Sequence, residues 1–344
     1  MAERTNEVNS DNSKLKKFFT GGIIILILII FLFFKVVFSF NSNTTCGTKG
    51  FKEITVSHDE KNIIFTYCDK QTSIYKADIT GEHVKLLLKS KDGIYEYPII
   101  SPDGTKIAFI KRISKDSSFL YIMNSDGTDI KKLINQSANN ILEIIYSNNG
   151  ERIYFKNSGG TYHSSPIASS QPHDIDIYSL DIATNQIKRI TNLNKYYWGG
   201  FAITPDNSKV YTDSYIINLK TLKTIEHNYI INKNLSYVWE SPFSSGISFS
   251  QISLDGKYLI HSRGNHINGQ ISYHGLYLIN LLNNSMEKEI IRGKNAYFDS
   301  PQFFNNDTQI IFINDKKAYG LGNRELWTID IKGTNFQKLN ITIP

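Results

Sequence analysis

Pro98-Ile99-Ile100-Ser101-Pro102-Asp103-Gly104-Thr105-Lys106-Ile107-Ala108-Phe109 reads as a strand, a tight turn and a second strand. The turn chemistry has a physical reason at each position. Ser101 can bond the backbone ahead of it, Pro102 pre-sets φ, Asp103 tolerates the tight central position, and Gly104 accepts φ > 0. The run from Lys106 to Ile110 is apolar on both faces, as expected of a strand packed between neighbouring sheets.

Working outward, the same turn recurs as Ser57-His58-Asp59-Glu60, Ser147-Asn148-Asn149-Gly150, Thr204-Pro205-Asp206-Asn207, Ser253-Leu254-Asp255-Gly256 and Phe304-Asn305-Asn306-Asp307. After each turn comes an aromatic residue followed, three positions on, by Asp or Asn. The pairs are Tyr75/Asp78, Tyr121/Asn124, Tyr178/Asp181, Tyr215/Asn218, Tyr277/Asn280 and Trp327/Asp330. An apolar residue then opens a further strand at Val84, Ile130, Ile187, Leu222, Met286 and Phe336. Each copy therefore predicts four antiparallel strands, at a period of about 40–50 residues typical of propeller blades. Six copies fill the chain from about Phe51 to Ile341. The expected fold is all-β, a six-bladed β-propeller of four-stranded antiparallel blades.

Composition agrees with strands. Of the 344 residues 40% are hydrophobic, and Tyr 20 and Phe 20 stand against Pro 8, which excludes a disordered chain. Two cysteines exclude a disulfide scaffold and a four-cysteine zinc module. The net charge of +6 is carried largely by expected outer strands, at Lys85, Lys131, Lys132, Lys188, Arg189, Lys223, Lys288 and Lys338. Lysine there blocks edge pairing with other chains, and its spread around the rim predicts no nucleic-acid partner.

The N-terminus differs in kind. Residues 1–17 are polar and end in Lys14, Lys16 and Lys17, whereas Phe18 to Phe34 carries no charge, and Val36 to Phe40 extends the apolar run beyond Lys35. A run of that length matches a hydrocarbon core and exceeds a signal-peptide core, so residues 18–40 are expected to be a transmembrane signal anchor. The basic residues ahead of it place residues 1–17 in the cytoplasm. Residues 41–50 then form a linker, and 51–344 an extracytoplasmic propeller, periplasmic or extracellular.

The second copy, Tyr95 to Gly127, resembles the TolB-like, WD-type propeller repeat, and the third, fifth and sixth copies resemble it less closely. The resemblance covers roughly residues 51–341, without the additional α/β domain that precedes the propeller in TolB. The first and fourth copies depart most: His58 replaces Pro and Glu60 replaces Gly in the first. The resemblance implies a protein-interaction platform at the cell envelope. Related propellers are joined to peptidases, but those need a Gly-x-Ser-x-Gly elbow that this sequence lacks.

Candidate site residues come from insertions and histidines. Asn228 to Ser245 contains Tyr229, Tyr237, Trp239 and Phe243, aromatics suited to a protein contact. The alternative function is a propeller enzyme, a metal-assisted lyase or hydrolase acting on carbohydrate. It would use His163, His173, His261, His266 and His274, as in TolB-repeat pectate-degrading lyases. No helical His-x-x-x-His spacing supports that metal site, and no calcium loop, cofactor motif or catalytic residue is expected. Cys46 and Cys68 both lie beyond the expected membrane span and are candidates for a disulfide.

Overall fold

The structure is a computed structural model. It describes Cys46–Pro344 except residues 115–116, 135–139, 163–170, 196–198, 227–246, 268–269, 284–286, 295 and 317–322. The expected tail, anchor and most of the linker fall in residues 1–45, outside the described residues. Among the described residues there is no helix, so none is long and apolar enough to cross a membrane.

The strands come in runs of four. β1 (Gly50–Val56), β2 (Asn62–Asp69), β3 (Gln71–Asp78) and β4 (Lys85–Lys89) form the first run. The second is β5 (Ile94–Ile100), β6 (Lys106–Ser114), β7 (Ser117–Asn124) and β8 (Lys131–Lys132). The third is β9 (Asn140–Tyr146), β10 (Arg152–Tyr162), β11 (Gln171–Asp181) and β12 (Ile187–Arg189). The fourth is short: β13 (Phe201–Ile203), β14 (Lys209–Thr212), β15 (Tyr215–Asn218) and β16 (Thr224–Glu226). β17 (Ile247–Ile252), β18 (Tyr258–Ile267), β19 (Gln270–Asn280) and β20 (Lys288–Gly293) form the fifth. β21 (Tyr297–Phe304), β22 (Gln309–Asp315), β23 (Arg324–Asp330) and β24 (Gln337–Lys338) form the last.

Runs two to five are separate four-stranded antiparallel sheets in a propeller-like arrangement. The first and last runs are instead continuous as one eight-stranded sheet, because Gly50 pairs in parallel with Arg324. That pairing needs glycine. Gly50 sits at φ 120°, and a Cβ there would lie 2.6 Å from the Arg324 carbonyl oxygen.

Within a run, the repeated aromatic stacks on a ring of the second strand directly opposite. Phe65 on Tyr75, Phe109 on Tyr121 and Phe155 on Tyr178 each have ring centroids 5.6 Å apart at 11–21°. These cross-strand pairs sit among Ile63, Ile107, Ile110 and Ile153, all fully buried. In the fifth sheet His261 takes the phenylalanine's place, 5.5 Å from Tyr277. The outermost strands β4, β8, β12 and β24 are short, most of their residues are exposed, and each carries lysine or arginine.

The six turns account for the first and fourth copies departing from the repeat. The fourth position of each has positive φ: Glu60 56°, Gly104 73°, Gly150 72°, Asn207 56°, Gly256 72° and Asp307 60°. Where the residue is not glycine, its side chain reaches the neighbouring turn. Glu60 accepts the Asn306 N–H at 3.0 Å, Asn207 Oδ1 accepts the Asn148 N–H at 2.6 Å, and Asp307 accepts the Leu254 N–H at 2.7 Å. An adverse backbone conformation is thus offset by a bond between adjacent runs.

A disulfide joins Cys46 to Cys68, with Cα atoms 5.9 Å apart. It pins the start of the described chain to β2, at the end of the sheet opposite the turns. Closing a loop of 22 residues restricts the unfolded chain by about 3 kcal/mol. Full reduction, or Cys46→Ser, is expected to lower the urea midpoint by that stability. An unchanged midpoint would contradict it.

Candidate functional site

The first strand of each run borders a common channel. Its lining includes Lys52 to Val56 of β1, Tyr97 to Ile100 of β5, Glu143 to Tyr146 of β9, Phe201 and Ile203 of β13, Gln251 and Ile252 of β17, and Asp299 and Ser300 of β21. The cavity is about 240 Å³. At the turn end its mouth is ringed by His58, Pro102, Asn148, Pro205 and Leu254. Below the mouth lies an apolar collar of Val56, Ile99, Ile100, Ile145, Ile203 and Ile252, and below that the carboxylates of Glu53, Glu143 and Asp299.

Bulges set those carboxylates. The pairing register slips between Phe51 and Ile54 in β1, Glu96 and Ile99 in β5, Ile141 and Glu143 in β9, and Asp299 and Gln302 in β21. A bulge re-aims side chains and is common beside functional sites. Tyr97 and Ser300, directly after Glu96 and Asp299, take φ of 48° and 50°. For a residue as bulky as tyrosine that conformation is strained, a feature concentrated at functional sites.

Behind three of the acids stand cations. Lys156 Nζ lies 2.5 Å from Glu143 and donates to the Gly199 carbonyl at 2.7 Å. Arg112 pairs with Glu96 at 2.8 Å and donates to the Ile141 carbonyl at 2.8 Å. Arg324 pairs with Asp299 at 2.7 Å and donates to the Phe51 carbonyl at 2.7 Å. Each cation therefore holds its own carboxylate and also ties its run to the next one. In the last case the next run is the first, so Arg324 closes the circle. The side chains are well covered, Lys156 at 7% and Arg324 at 11% exposure, so solvent screens these pairs weakly.

Glu53 has Thr66 as its side-chain partner, with the hydroxyl donating to Oε2. Burial, and next the Glu96 carboxylate, push its pKa up to about 7. Burial also raises Glu96 and Glu143. A carboxyl whose folded pKa exceeds its unfolded value favours the protonated native state. Its contribution is present in full at acid pH and is lost as pH rises toward 7. Glu53→Gln is therefore expected to flatten the stability profile between pH 5 and 7 by on the order of 1 kcal/mol per pH unit. Parallel profiles for the two proteins, from urea titrations, would contradict this.

The residues expected from the sequence fare differently. Tyr229, Tyr237, Trp239 and Phe243 lie outside the described residues, as do His163 and the side chain of His266. The remaining histidines are engaged separately, two beside carboxylates and one across a sheet boundary. His261 is buried with Nε2 2.8 Å from Glu287, His274 Nδ1 accepts the Phe298 N–H at 3.1 Å, and His173 pairs with Asp174 at 2.9 Å. Among the described residues, no three His, Cys, Asp or Glu side chains are grouped to hold a metal ion. The channel acids escaped the sequence reading. Their signal is an acid four or five residues ahead of a turn, at Glu53, Glu143 and Asp299, with Glu96 at the corresponding place in the second run.

No family model matches the chain, and no curated protein matches it. Solved structures do. TolB from Acinetobacter baumannii superposes with a TM-score of 0.57 at 17% identity, over 84% of this chain and 62% of that one. The fold is a TolB-like β-propeller. This chain spans less than two thirds of that TolB chain. Oligogalacturonate lyase from Vibrio parahaemolyticus gives a TM-score of 0.54 at 13% identity, covering 86% of this chain and 78% of that chain. Hydrazine synthase from Kuenenia stuttgartiensis gives 0.54 at 14% identity, covering 84% and 79%. Identities this low establish the fold alone.

Proposed function

We propose that this chain is a binding propeller of six four-stranded units, held at the cell envelope by a membrane anchor at residues 18–40, that presents its channel and turn face to a protein partner. The count of six follows from reading the eight-stranded sheet as two units meeting at Gly50 and Arg324. The uncharged run from Phe18 to Phe34, with lysines ahead of it, supports the anchor and a cytoplasmic N-terminus. The Cys46–Cys68 disulfide supports an extracytoplasmic, oxidising location for the propeller.

The observation that carries the reading is the channel. Its acceptors face inward while their cations stand behind them, so the carboxylates stay fixed and offer their free lone pairs to donors of a ligand. The segment carrying Tyr229, Tyr237, Trp239 and Phe243 joins β16 to β17 and is a second contact in this reading. A photo-crosslinking residue at Leu254, exposed at the channel mouth, tests it in intact cells. One discrete protein adduct is expected there and none from the exposed outer-strand position Ile187. Equal labelling from both positions, or none from Leu254, would contradict the reading.

A further inference from the structure

Glu53 and Glu143 hold the same place in their runs, four residues ahead of Ser57 and Ser147, but they are completed differently. Nine residues after the turn begins, the third run supplies Lys156 to Glu143, and the first run supplies Thr66 to Glu53. Glu96 and Asp299 have Arg112 and Arg324. Among the described residues, Glu53 is the one of these four carboxylates without a lysine or arginine in ion-pair contact.

The groups around Glu53 do not complete it. Arg324 on β23 is committed to Asp299 and to the Phe51 and Lys52 carbonyls. From β5, Glu96 adds negative charge and Tyr97 is kept neutral by burial, and from β21 Asp299 adds further negative charge. Lys52 on β1 lines the same cavity; burial and next Arg324 lower its pKa, against the raising effect of Glu53. The approach to Glu53 from the mouth is the isoleucine collar. Between the turn and Glu53 the lining mixes Val56, Ile99, Ile145, Ile203 and Ile252 with Thr55, so aliphatic side chains stand on the way to the carboxylate.

We propose that the channel accepts a ligand end bearing a primary ammonium group on an apolar stem, the ammonium pairing with Glu53 as Lys156 pairs with Glu143. When no ligand is bound, a proton takes that place near neutral pH. The ammonium displaces it, so binding releases a proton and weakens as pH falls through 7, approaching about tenfold per pH unit at lower pH. This deepens the channel reading and rests on it.

The probe is hexylammonium chloride, titrated calorimetrically into the full chain in detergent micelles against a protein-free blank, with 1-hexanol as the uncharged control. Expected are saturable hexylammonium binding, at least tenfold weaker binding of 1-hexanol, and about fivefold tightening from pH 6 to pH 7. Glu53→Gln should lose the binding. So should Thr66→Lys, which places a lysine before Glu53 as in the third run while keeping the fold, as thermal melting would show. Hexylammonium and 1-hexanol binding alike, affinity flat with pH, or binding retained in both variants would overturn the inference. A specific Leu254 adduct in cells without hexylammonium binding would overturn this inference and leave the partner-binding reading standing.

Discussion

Arg324→Ala is expected to destabilise the folded chain by about 3–5 kcal/mol, the usual cost of stripping one partner from a buried ion pair. The guanidinium does three things at the junction of the first and last runs. It neutralises Asp299 at 2.7 Å, and it donates to the Phe51 and Lys52 carbonyls at 2.7 and 3.3 Å. Alanine leaves the Asp299 carboxylate without its cation beside the raised carboxyls of Glu53 and Glu96, and removes side-chain bonds that cross the seam. Arg324→Lys keeps the charge but not the planar fork, so an intermediate loss is expected. Urea unfolding followed by tryptophan fluorescence measures both. A loss below about 1 kcal/mol for the alanine variant would mean that the seam does not depend on this residue.

The second large effect is expected in the stacked rings. Phe109 is 1% exposed, lies 5.6 Å from Tyr121 at 18° and meets Tyr95 edge-on at 5.4 Å. Phe109→Ala removes a buried ring and leaves a cavity that the flanking isoleucines cannot fill, a loss of about 3–5 kcal/mol. Because the arrangement repeats, Phe65→Ala and Phe155→Ala are expected to cost similar amounts, both rings being buried and stacked in the same way. A denaturation series over the three variants is the check. Costs near zero at one site and large at another would show that the sheets are not equivalent.

What the sequence reveals and what it hides divide along physical lines. Turn chemistry and the recurring aromatic are local signals, so the strand runs and their order are legible from Ser101 to Gly104 and from Tyr121 to Asn124. The joining of the first and last runs into one sheet is not legible. It depends on a single pairing between Gly50 and Arg324, residues at opposite ends of the repeat array. The channel acids stay hidden because bulges shift the inward position by one residue, so Glu53 and Glu143 stand four ahead of their turns while Glu96 and Asp299 stand five ahead. Their cations come from other strands at unequal offsets, Lys156 on the adjacent β10 and Arg324 on β23, one strand removed from Asp299. The packing roles of two histidines are equally hidden: His261 occupies a core phenylalanine position against Tyr277, and His274 joins one sheet to the next through the Phe298 amide.

The most direct test of the account is a density map of the intact chain, read at the junction of its first and last runs. The Arg324 guanidinium is expected between Asp299 and the Phe51 carbonyl, with Glu53, Glu143 and Asp299 around one continuous channel. A gap between β1 and β23, or inner strands splayed so that these carboxylates face separate solvent, would contradict the closed ring and the binding site built upon it.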